Sequence, residues 1–483
     1  MNYGIIAKVI GSLLIFEAVM FLPAFAAGFY YHETSSLYFL GIMVLTLAVG
    51  LLLRRFGRSS TDIRSKEALI IVAGGWLSVA FFGALPFYFS GAIPSFIDAF
   101  FETVSGLTTT GATILIEIEG IDKGILFWRS FTHWIGGMGI LVLTLAVLPA
   151  LGVGGFQIFK AETPGPVADK LAPKMKNTAA ILYTAYLGIT MLETTLLMFG
   201  GLSLYEALVH TFGTVGTGGF STLNNSIGGY SSAYVQWVIG IFMVASGVNF
   251  SLYYALYRNR PKDILENEEF KFYLLIISTA TLLIFFNLQA TMHGSVFTTL
   301  RHAFFQVASI TTTTGYATVD YELWPQFSQA ILFFLMFVGG CAGSTGGSMK
   351  VIRLLVLIKL IKREIMRVLH PRAMVPIRIH KRMLEVDVIS SVTSFYILYL
   401  LILAVGTILI SLEGLDIVSA FSAVAVTLGN LGPGFGSVGP TQNYAAFSPP
   451  AKGLLSLFML MGRLELFTVF ILMTPDFWRE RGK

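Results

Sequence analysis

Ala303-Phe304-Phe305-Gln306-Val307-Ala308-Ser309-Ile310-Thr311-Thr312-Thr313-Thr314-Gly315 decides the reading of this chain, because the chain contains it more than once. Laid without gaps over Ala99-Phe100-Phe101-Glu102-Thr103-Val104-Ser105-Gly106-Leu107-Thr108-Thr109-Thr110-Gly111, it matches at Ala, Phe, Phe, Ser, Thr, Thr, Thr and Gly. Two looser copies run from Glu206 to Gly218 and from Ala420 to Gly432. Each is a short amphipathic segment, too short to span a bilayer, that leads into a Thr/Gly loop. The glycines at 111, 218, 315 and 432 recur at intervals of 107, 97 and 117 residues, so the chain reads as one unit used four times.

Glycine reaches backbone angles closed to other residues, so consecutive carbonyl oxygens can turn toward one axis. Four such loops around an axis would make rings of carbonyls able to replace the hydration shell of a cation. Thr214-Val215-Gly216-Thr217-Gly218 resembles the TVGYG loop of potassium channels. Close helix packing is the alternative use of a Thr/Gly run in an apolar protein; four copies at matching places favour a pore. The residues placed in the candidate filter are Thr109, Thr110 and Gly111; Val215, Gly216, Thr217 and Gly218; Thr313, Thr314 and Gly315; and Asn430, Leu431 and Gly432.

Composition makes this an integral membrane protein. The chain is 55% hydrophobic and 12% charged, with mean hydropathy +0.75, and holds many apolar runs of about 20 residues. Its single cysteine, Cys341, excludes an intramolecular disulfide framework and a cysteine metal cluster. The net charge of +5 sits in loops on one side, which points to membrane orientation rather than to nucleic acid.

The expected fold is an all-α polytopic membrane protein with two extra N-terminal transmembrane helices. These lead into four tandem repeats, each a helix, a pore half-helix, a filter loop and a second helix, around one central pore. The two leading spans occupy 5–29 and 37–53, within 1–66; Lys8 and Ala24-Phe25-Ala26 imitate a signal peptide, but the span is long and carries Glu17. Repeat one, 67–176, has an outer helix at 68–90, a half-helix at 94–107 and an inner helix at 125–151. Repeat two, 177–265, has these at 178–200, 204–212 and 234–257. Repeat three, 266–383, has them at 272–288, 296–310 and from 327, the last broken. Repeat four, 384–483, has them at 389–412, 416–426 and 454–473. The total is ten spans and four re-entrant half-helices, segments tolerated in a bilayer only when buried in protein or lining water. Each half-helix would aim the negative end of its dipole at the pore axis, favouring a cation.

Loop charges test this topology. One side carries Arg54, Arg55, Arg58, Arg64 and Lys66; Lys160, Lys170, Lys174 and Lys176; Arg258, Arg260, Lys262 and Lys271; then Arg353, Lys359, Lys362, Arg363, Arg367, Arg372, Arg378, Lys381 and Arg382; and Arg479, Arg481 and Lys483. The other side has Lys123, Arg129, Arg301 and Lys452. By the positive-inside rule both termini are cytoplasmic. On the outer side Glu117, Glu119, Asp122, Asp320 and Glu322 would either concentrate cations at a pore mouth or merely keep the loops soluble.

Some residues break the apolar pattern. Gly339-Gly340-Cys341-Ala342-Gly343-Ser344-Thr345-Gly346-Gly347-Ser348 places five glycines in ten residues inside the second helix of repeat three. It reads as an unwound gate below the filter, with Gly339, Gly340, Gly343, Gly346, Gly347 and Lys350 as its gating residues; a tight helix-packing face is the alternative. A phosphate-binding loop is excluded because Lys350 does not follow Gly. Arg463, inside the last span, reads as a fixed positive charge in the pore or as half of a pair with Glu465. His133 and Asn249 read as helix-packing groups, His210 and His302 lie in half-helices, and no histidine pair has metal-ligand spacing.

With these residues in hand, the chain resembles the Trk/Ktr/HKT superfamily of potassium transporters, and within it the bacterial TrkH branch. The likeness rests on the four loops, Trp134-Ile135-Gly136-Gly137-Met138-Gly139, Glu162-Thr163-Pro164-Gly165-Pro166, the glycine break at 339–347, Arg463 and the two leading spans. It implies that Gly111, Gly218, Gly315 and Gly432 occupy the filter glycine positions. Some sodium-passing plant members have serine at the first, so Gly111 implies potassium preference. It further implies K+ as the transported ion with no organic cofactor on this chain, a homodimer, a cytoplasmic nucleotide-binding TrkA-type ring as partner, and the bacterial cytoplasmic membrane as location. His133 stands where the family pattern has glutamine and is expected not to touch the filter. The basic segments 160–176 and 353–382 are candidate docking surfaces, for that ring or for inner-leaflet lipid.

The function expected is potassium uptake through a selective channel-like pore, gated by the glycine-rich loop and the cytoplasmic partner. The alternative is a symporter coupled to sodium or protons. An intramembrane serine hydrolase is not supported, since no Ser/His pair is brought together by spacing and no G-x-S-x-G loop occurs; the chain reads as no enzyme.

Overall fold

The structure is a computed structural model that describes residues 1–57, 64–139, 175–373, 375–380 and 382–479. The 162–166 stretch, the inner-helix residues 140–151, the basic segment 160–174, and Arg58, Lys381, Arg481 and Lys483 lie outside the described residues.

Among the described residues, six helices are long and apolar enough to cross a membrane. Two are Tyr3–Tyr30 and Ser35–Phe56, which pack against each other. Their backbones meet where Gly11 faces Gly50: a side chain on either would run into the carbonyl of the other. The other four are the outer helices of the repeats, Ser65–Phe89, Met175–Phe199, Glu268–Met292 and Val386–Ile410.

Each outer helix is followed by a short half-helix: Phe96–Leu107, Leu204–Val215, Val296–Thr311 and Ile417–Leu428. Three of the four start on a side-chain cap. Ser95 accepts from Asp98 N, Ser203 from Glu206 N and Asp416 from Ser419 N, which satisfies N–H groups the first turn cannot pair internally. Their C-terminal halves are buried almost without interruption, so the apolar residues there face protein on all sides.

The inner helices correct the sequence reading. Unbroken helices were expected at 125–151, 234–257 and 454–473, with a break only in repeat three. In the structure repeat one's inner helix ends at Lys123–Gly137 and the chain turns at left-handed Gly139. Repeat two's divides into Ala233–Ser246 and Phe250–Tyr257, bent by 93°. Repeat three's divides into Gln326–Leu335 and Val351–Leu369, and repeat four's into Pro449–Arg463 and Leu466–Met473. Hydropathy cannot see these joints, because the residues around them are apolar. The signals are conformational and polar: Gly139, Gly247 ahead of an Asn249 that caps the new helix through Ser251 N at 2.8 Å, and Glu465 at φ +66°.

The repeats close on themselves. The inner helix of repeat one packs on the half-helix of repeat two, that of repeat two on the half-helix of repeat three, and that of repeat four on the half-helix of repeat one. Phe333 stacks on Phe421 at 5.6 Å to join repeat three to repeat four. Past the last turn of Val351–Leu369 the chain forms a two-residue hairpin, Arg378–Ile379 with Arg382–Met383.

Candidate functional site

The four half-helices end in loops of one backbone design. The N–H of Thr110 bonds Ser105 O at 2.8 Å, Gly218 bonds Gly213 O at 2.7 Å, Thr314 bonds Ser309 O at 2.8 Å, and Leu431 bonds Val426 O at 2.8 Å. The residue before each, Thr109, Thr217, Thr313 and Asn430, is left-handed with φ between +53° and +59°. The residue after each is a left-handed glycine: Gly111, Gly219, Gly315 and Gly432, with φ of +79°, +83°, +83° and +89°. Three consecutive residues thus alternate hand, which is how a chain presents carbonyls in a row.

This register moves one assignment. The sequence overlay put Gly218 opposite Gly111, whereas the backbone puts Gly219 there and gives Gly218 the place of Thr110. Gly216-Thr217-Gly218-Gly219 offers glycine at three of four positions, so letters alone cannot choose the register. The sign of φ chooses it.

The loops touch in cyclic order. A side chain at Gly111 would overlap the carbonyl oxygen of Gly218, one at Gly219 that of Thr314, one at Gly315 that of Leu431, and one at Gly432 that of Thr110. Four carbonyls and four glycines therefore interlock in a closed ring. Immediately outside it lies a cavity of about 320 Å³ lined by all four left-handed glycines. The half-helix C-termini at Thr108, Gly216, Thr312 and Gly429 converge on the same ring and give it a negative potential.

Cross-braces hold the ring. Asn430 Nδ2 donates to Thr110 Oγ1 at 3.1 Å, tying the fourth loop to the first. Tyr316 OH donates to Phe220 O at 3.0 Å, Tyr321 OH to Gly434 O at 2.8 Å, and Tyr444 OH to Gly432 O at 2.9 Å, while Tyr444 N donates to Thr113 O at 2.8 Å. A buried ion pair completes the set. Glu102 takes Arg129 Nε at 2.6 Å and accepts from Thr113 Oγ1 and Ile114 N; Arg129 in turn donates to Ser221 O at 3.1 Å and lies 3.6 Å over the Phe220 ring. Arg129, counted among outer-side loop charges by the sequence reading, is instead 2% exposed inside the protein.

His133 corrects a second expectation. Its ring stands directly against Gly218, where any side chain would collide with it. Nδ1 donates to Gly106 O at 2.8 Å and Nε2 accepts from Phe220 N at 3.3 Å, which fixes the neutral Nδ1–H tautomer. The residue therefore touches the ring it was expected to leave alone. Of the acidic residues read at the outer mouth, none lines the 320 Å³ cavity. Glu119 accepts from Asn224 N at 2.8 Å, Asp320 from Glu322 N at 3.0 Å, and Glu322 from Gly436 N at 2.6 Å, so these three brace loops.

The glycine stretch 339–348 lies against the inner side of the ring as an unwound loop. Gly346 faces the carbonyl of Thr312 and Gly347 that of Gly429, too close for any side chain on either glycine. Gly347 N donates to Thr313 Oγ1 at 2.6 Å, a direct bond from loop to ring. Gly339 faces Gly347 across the loop, Gly340 lies against Gly247, and Gly343 is left-handed at φ +73°. Lys350 Nζ folds back onto Gly346 O and Ser344 Oγ. Arg463 clamps the loop from repeat four: Nη1 donates to Thr345 O at 2.8 Å, and Nη2 donates at 2.5 Å to Gly136 O and to Gly137 O of repeat one. Glu465 takes Arg353 at 2.5 Å. Arg463 thus spans from the inner helix of repeat one to the glycine loop of repeat three.

The sequence reading missed Glu102 with Arg129, the contact of His133 with the ring, Gly219 and the tyrosine braces. One signal was available: a glutamate inside the apolar half-helix Phe96–Leu107 requires a partner. Among the described residues no cluster of three or more His, Cys, Asp or Glu could hold a metal ion; the ring offers neutral oxygens, the donor set of an alkali-cation path.

A family model described as TrkH, cation transport protein, matches residues 34–479. The chain is 40% identical to the Trk system potassium uptake protein TrkH of Salmonella typhimurium, over 99% of this chain and 100% of the relative. It is 34% identical to the TrkG protein of Escherichia coli, over 99% of each. The crystal structure of the potassium transporter TrkH from Vibrio parahaemolyticus superposes with a TM-score of 0.89 at 35% identity, over 99% of this chain and 100% of that one.

Proposed function

The chain belongs to the TrkH family of cation transport proteins, and from that premise we propose that it takes potassium up through the ring of loops described above. One observation carries the reading. Four left-handed glycines interlock with four neighbouring carbonyls in a closed cycle, with a cavity of about 320 Å³ outside and convergent helix C-termini behind. Such a ring supplies fixed neutral oxygens to an ion that has shed water. The names of the relatives supply the ion.

On this reading Thr109, Thr110, Gly111, Val215, Gly216, Thr217, Gly218, Thr313, Thr314, Gly315, Asn430, Leu431 and Gly432 form the filter, joined by Gly219. The loop with Gly339, Gly340, Gly343, Gly346, Gly347 and Lys350, clamped by Arg463, is the gate. The protein sits in the bacterial cytoplasmic membrane with both termini inside, the side rich in Lys and Arg. It works as a homodimer on a nucleotide-binding TrkA-type ring, for which the basic segment 353–382 is a docking surface.

The test is flux in sealed proteoliposomes. Potassium and rubidium should move down their own gradients with neither sodium nor a pH difference present. Replacing Gly111, Gly219, Gly315 or Gly432 by alanine should each abolish discrimination against sodium or stop flux, since every one adds strain and a collision. Strict dependence on a sodium or proton gradient would make the protein a coupled symporter. Four variants that discriminate normally would remove the ring from the function.

A further inference from the structure

Glu268 and Glu269 open the outer helix of repeat three, yet neither belongs to ring or clamp. Glu269 is 4% exposed. Its Oε1 accepts the N–H of Ala342 at 2.7 Å and the N–H of Ile352 at 3.1 Å. Those two amides stand on opposite limbs of the glycine loop, one as the chain enters it and the other as the chain leaves. One carboxylate oxygen thus bridges the two limbs beside the backbone pairs of the neck, Gly339 N on Met349 O at 2.8 Å and Val351 N on Gly340 O at 3.2 Å.

Glu268, the next residue, faces the other way. It takes the ammonium of Lys359 and accepts from His380 N at 3.1 Å. Lys359 also donates to Arg378 O at 2.6 Å, which joins helix Val351–Leu369 to the hairpin. Two adjacent glutamates on one rigid helix therefore grip the loop on one side and the helix–hairpin unit on the other. The first turn of helix Val351–Leu369 has a further anchor, Arg353 on Glu465, with the Arg353 guanidinium 3.8 Å over Phe395.

We infer that Glu269 is the latch of the glycine loop, a positioning residue that pins the paired neck of the loop to the outer helix of repeat three and ties it to helix Val351–Leu369. The amide of Ile352 is the joint. It belongs to the helix, and it shares its acceptor with the loop, so the helix cannot be drawn from the outer helix of repeat three without loosening Ala342 as well. Bonds that a carboxylate accepts from backbone N–H groups are charge-assisted and stronger than neutral ones, which suits a latch added to the Arg463 clamp. The inference rests on the reading of 339–348 as the gate.

Cys341, the chain's single cysteine, is buried beside the latch, its N–H on Gly247 O at 2.8 Å, and reports on the neck directly. Three readouts are taken together in proteoliposomes: modification of Cys341 by a methanethiosulfonate reagent, potassium flux, and amide exchange of the peptide covering 351–360. Glu269→Ala should raise the modification rate about tenfold, raise flux, and speed exchange, the loss of bonds to a charged acceptor being worth roughly a factor of that size or more. Glu269→Gln keeps an acceptor without its charge and should fall between; it also serves if the alanine variant does not fold. Unchanged Cys341 reactivity and unchanged exchange would overturn the latch. Faster Cys341 modification with unaltered flux would uphold the latch and refute the gate. Raised reactivity without faster exchange would refute the tie to the helix.

Discussion

The ring of His133 fills the space beside Gly218 in which any other residue's side chain would stand. Repeat one thereby supports the loop of repeat two through an uncharged imidazole that both donates and accepts. One of its two bonds, from Phe220 N to Nε2 at 3.3 Å, reaches that loop, while the other, from Nδ1 to Gly106 O, fixes the ring within repeat one. Removing the nitrogens without removing the volume should loosen the loop at a single quadrant. His133→Leu is expected to lower discrimination of rubidium over sodium about tenfold, the equivalent of one or two lost bonds. His133→Gln, whose amide can also donate and accept, should keep most of it. Ratios of uptake in the two ions measure this.

Thr313 and Thr109 hold the same place in their loops but have different work. Thr313 Oγ1 accepts from Gly347 N, whereas Thr109 Oγ1 is buried without a partner. Thr313→Val should therefore free the glycine loop from the ring and raise flux severalfold, while Thr109→Val should leave flux near wild type. Both replacements are nearly isosteric, so a common effect would point to shape rather than to the bond. Potassium flux from identical liposomes distinguishes the cases.

The Glu102–Arg129 pair is a structural strut under the outer rim of two loops. Breaking a fully buried pair from one side leaves an uncompensated charge and costs about 3–5 kcal/mol. Arg129→Met should lower the melting temperature of the detergent-solubilised protein by many degrees. The double variant Glu102→Leu with Arg129→Met should recover part of that loss, since no charge is then stranded. A double variant no better than the single one would argue against the pair.

Arg463 binds three carbonyl oxygens from two repeats with one guanidinium. Lysine carries the charge but not the planar fork. If the residue acts as a clamp, Arg463→Lys and Arg463→Ala should both raise flux, alanine more. A residue acting by charge alone would instead let lysine behave as wild type. Single-channel or liposome flux at fixed potassium decides between clamp and point charge.

The repeat was legible because Ala-Phe-Phe and Thr-Thr-Thr-Gly survive in two copies and the positions survive in four. Half-helix bounds came within a few residues, since the caps Ser95, Ser203 and Asp416 stand in plain view. What the letters could not carry was conformation. Gly218 and Gly219 are chemically the same and differ only in the sign of φ. The joints at Gly139, Gly247 and Glu465 lie in apolar windows, where a hydropathy profile is blind. The partners of Arg463 are backbone oxygens, which every residue possesses, so no pattern of side chains announces them. Glu102 and Arg129 lie 27 positions apart and meet only once the loops close.

In repeats two, three and four the inner helix is cut just beneath the ring, once with a bend of 93°. An uninterrupted rod would carry any twist applied at one membrane face straight into the carbonyls. A joint below these three loops is where such a twist would be taken up before it reaches the oxygens. If the ring selects and the glycine loop gates, as proposed, these joints would let the two be tuned largely apart, coupled through the Gly347–Thr313 bond.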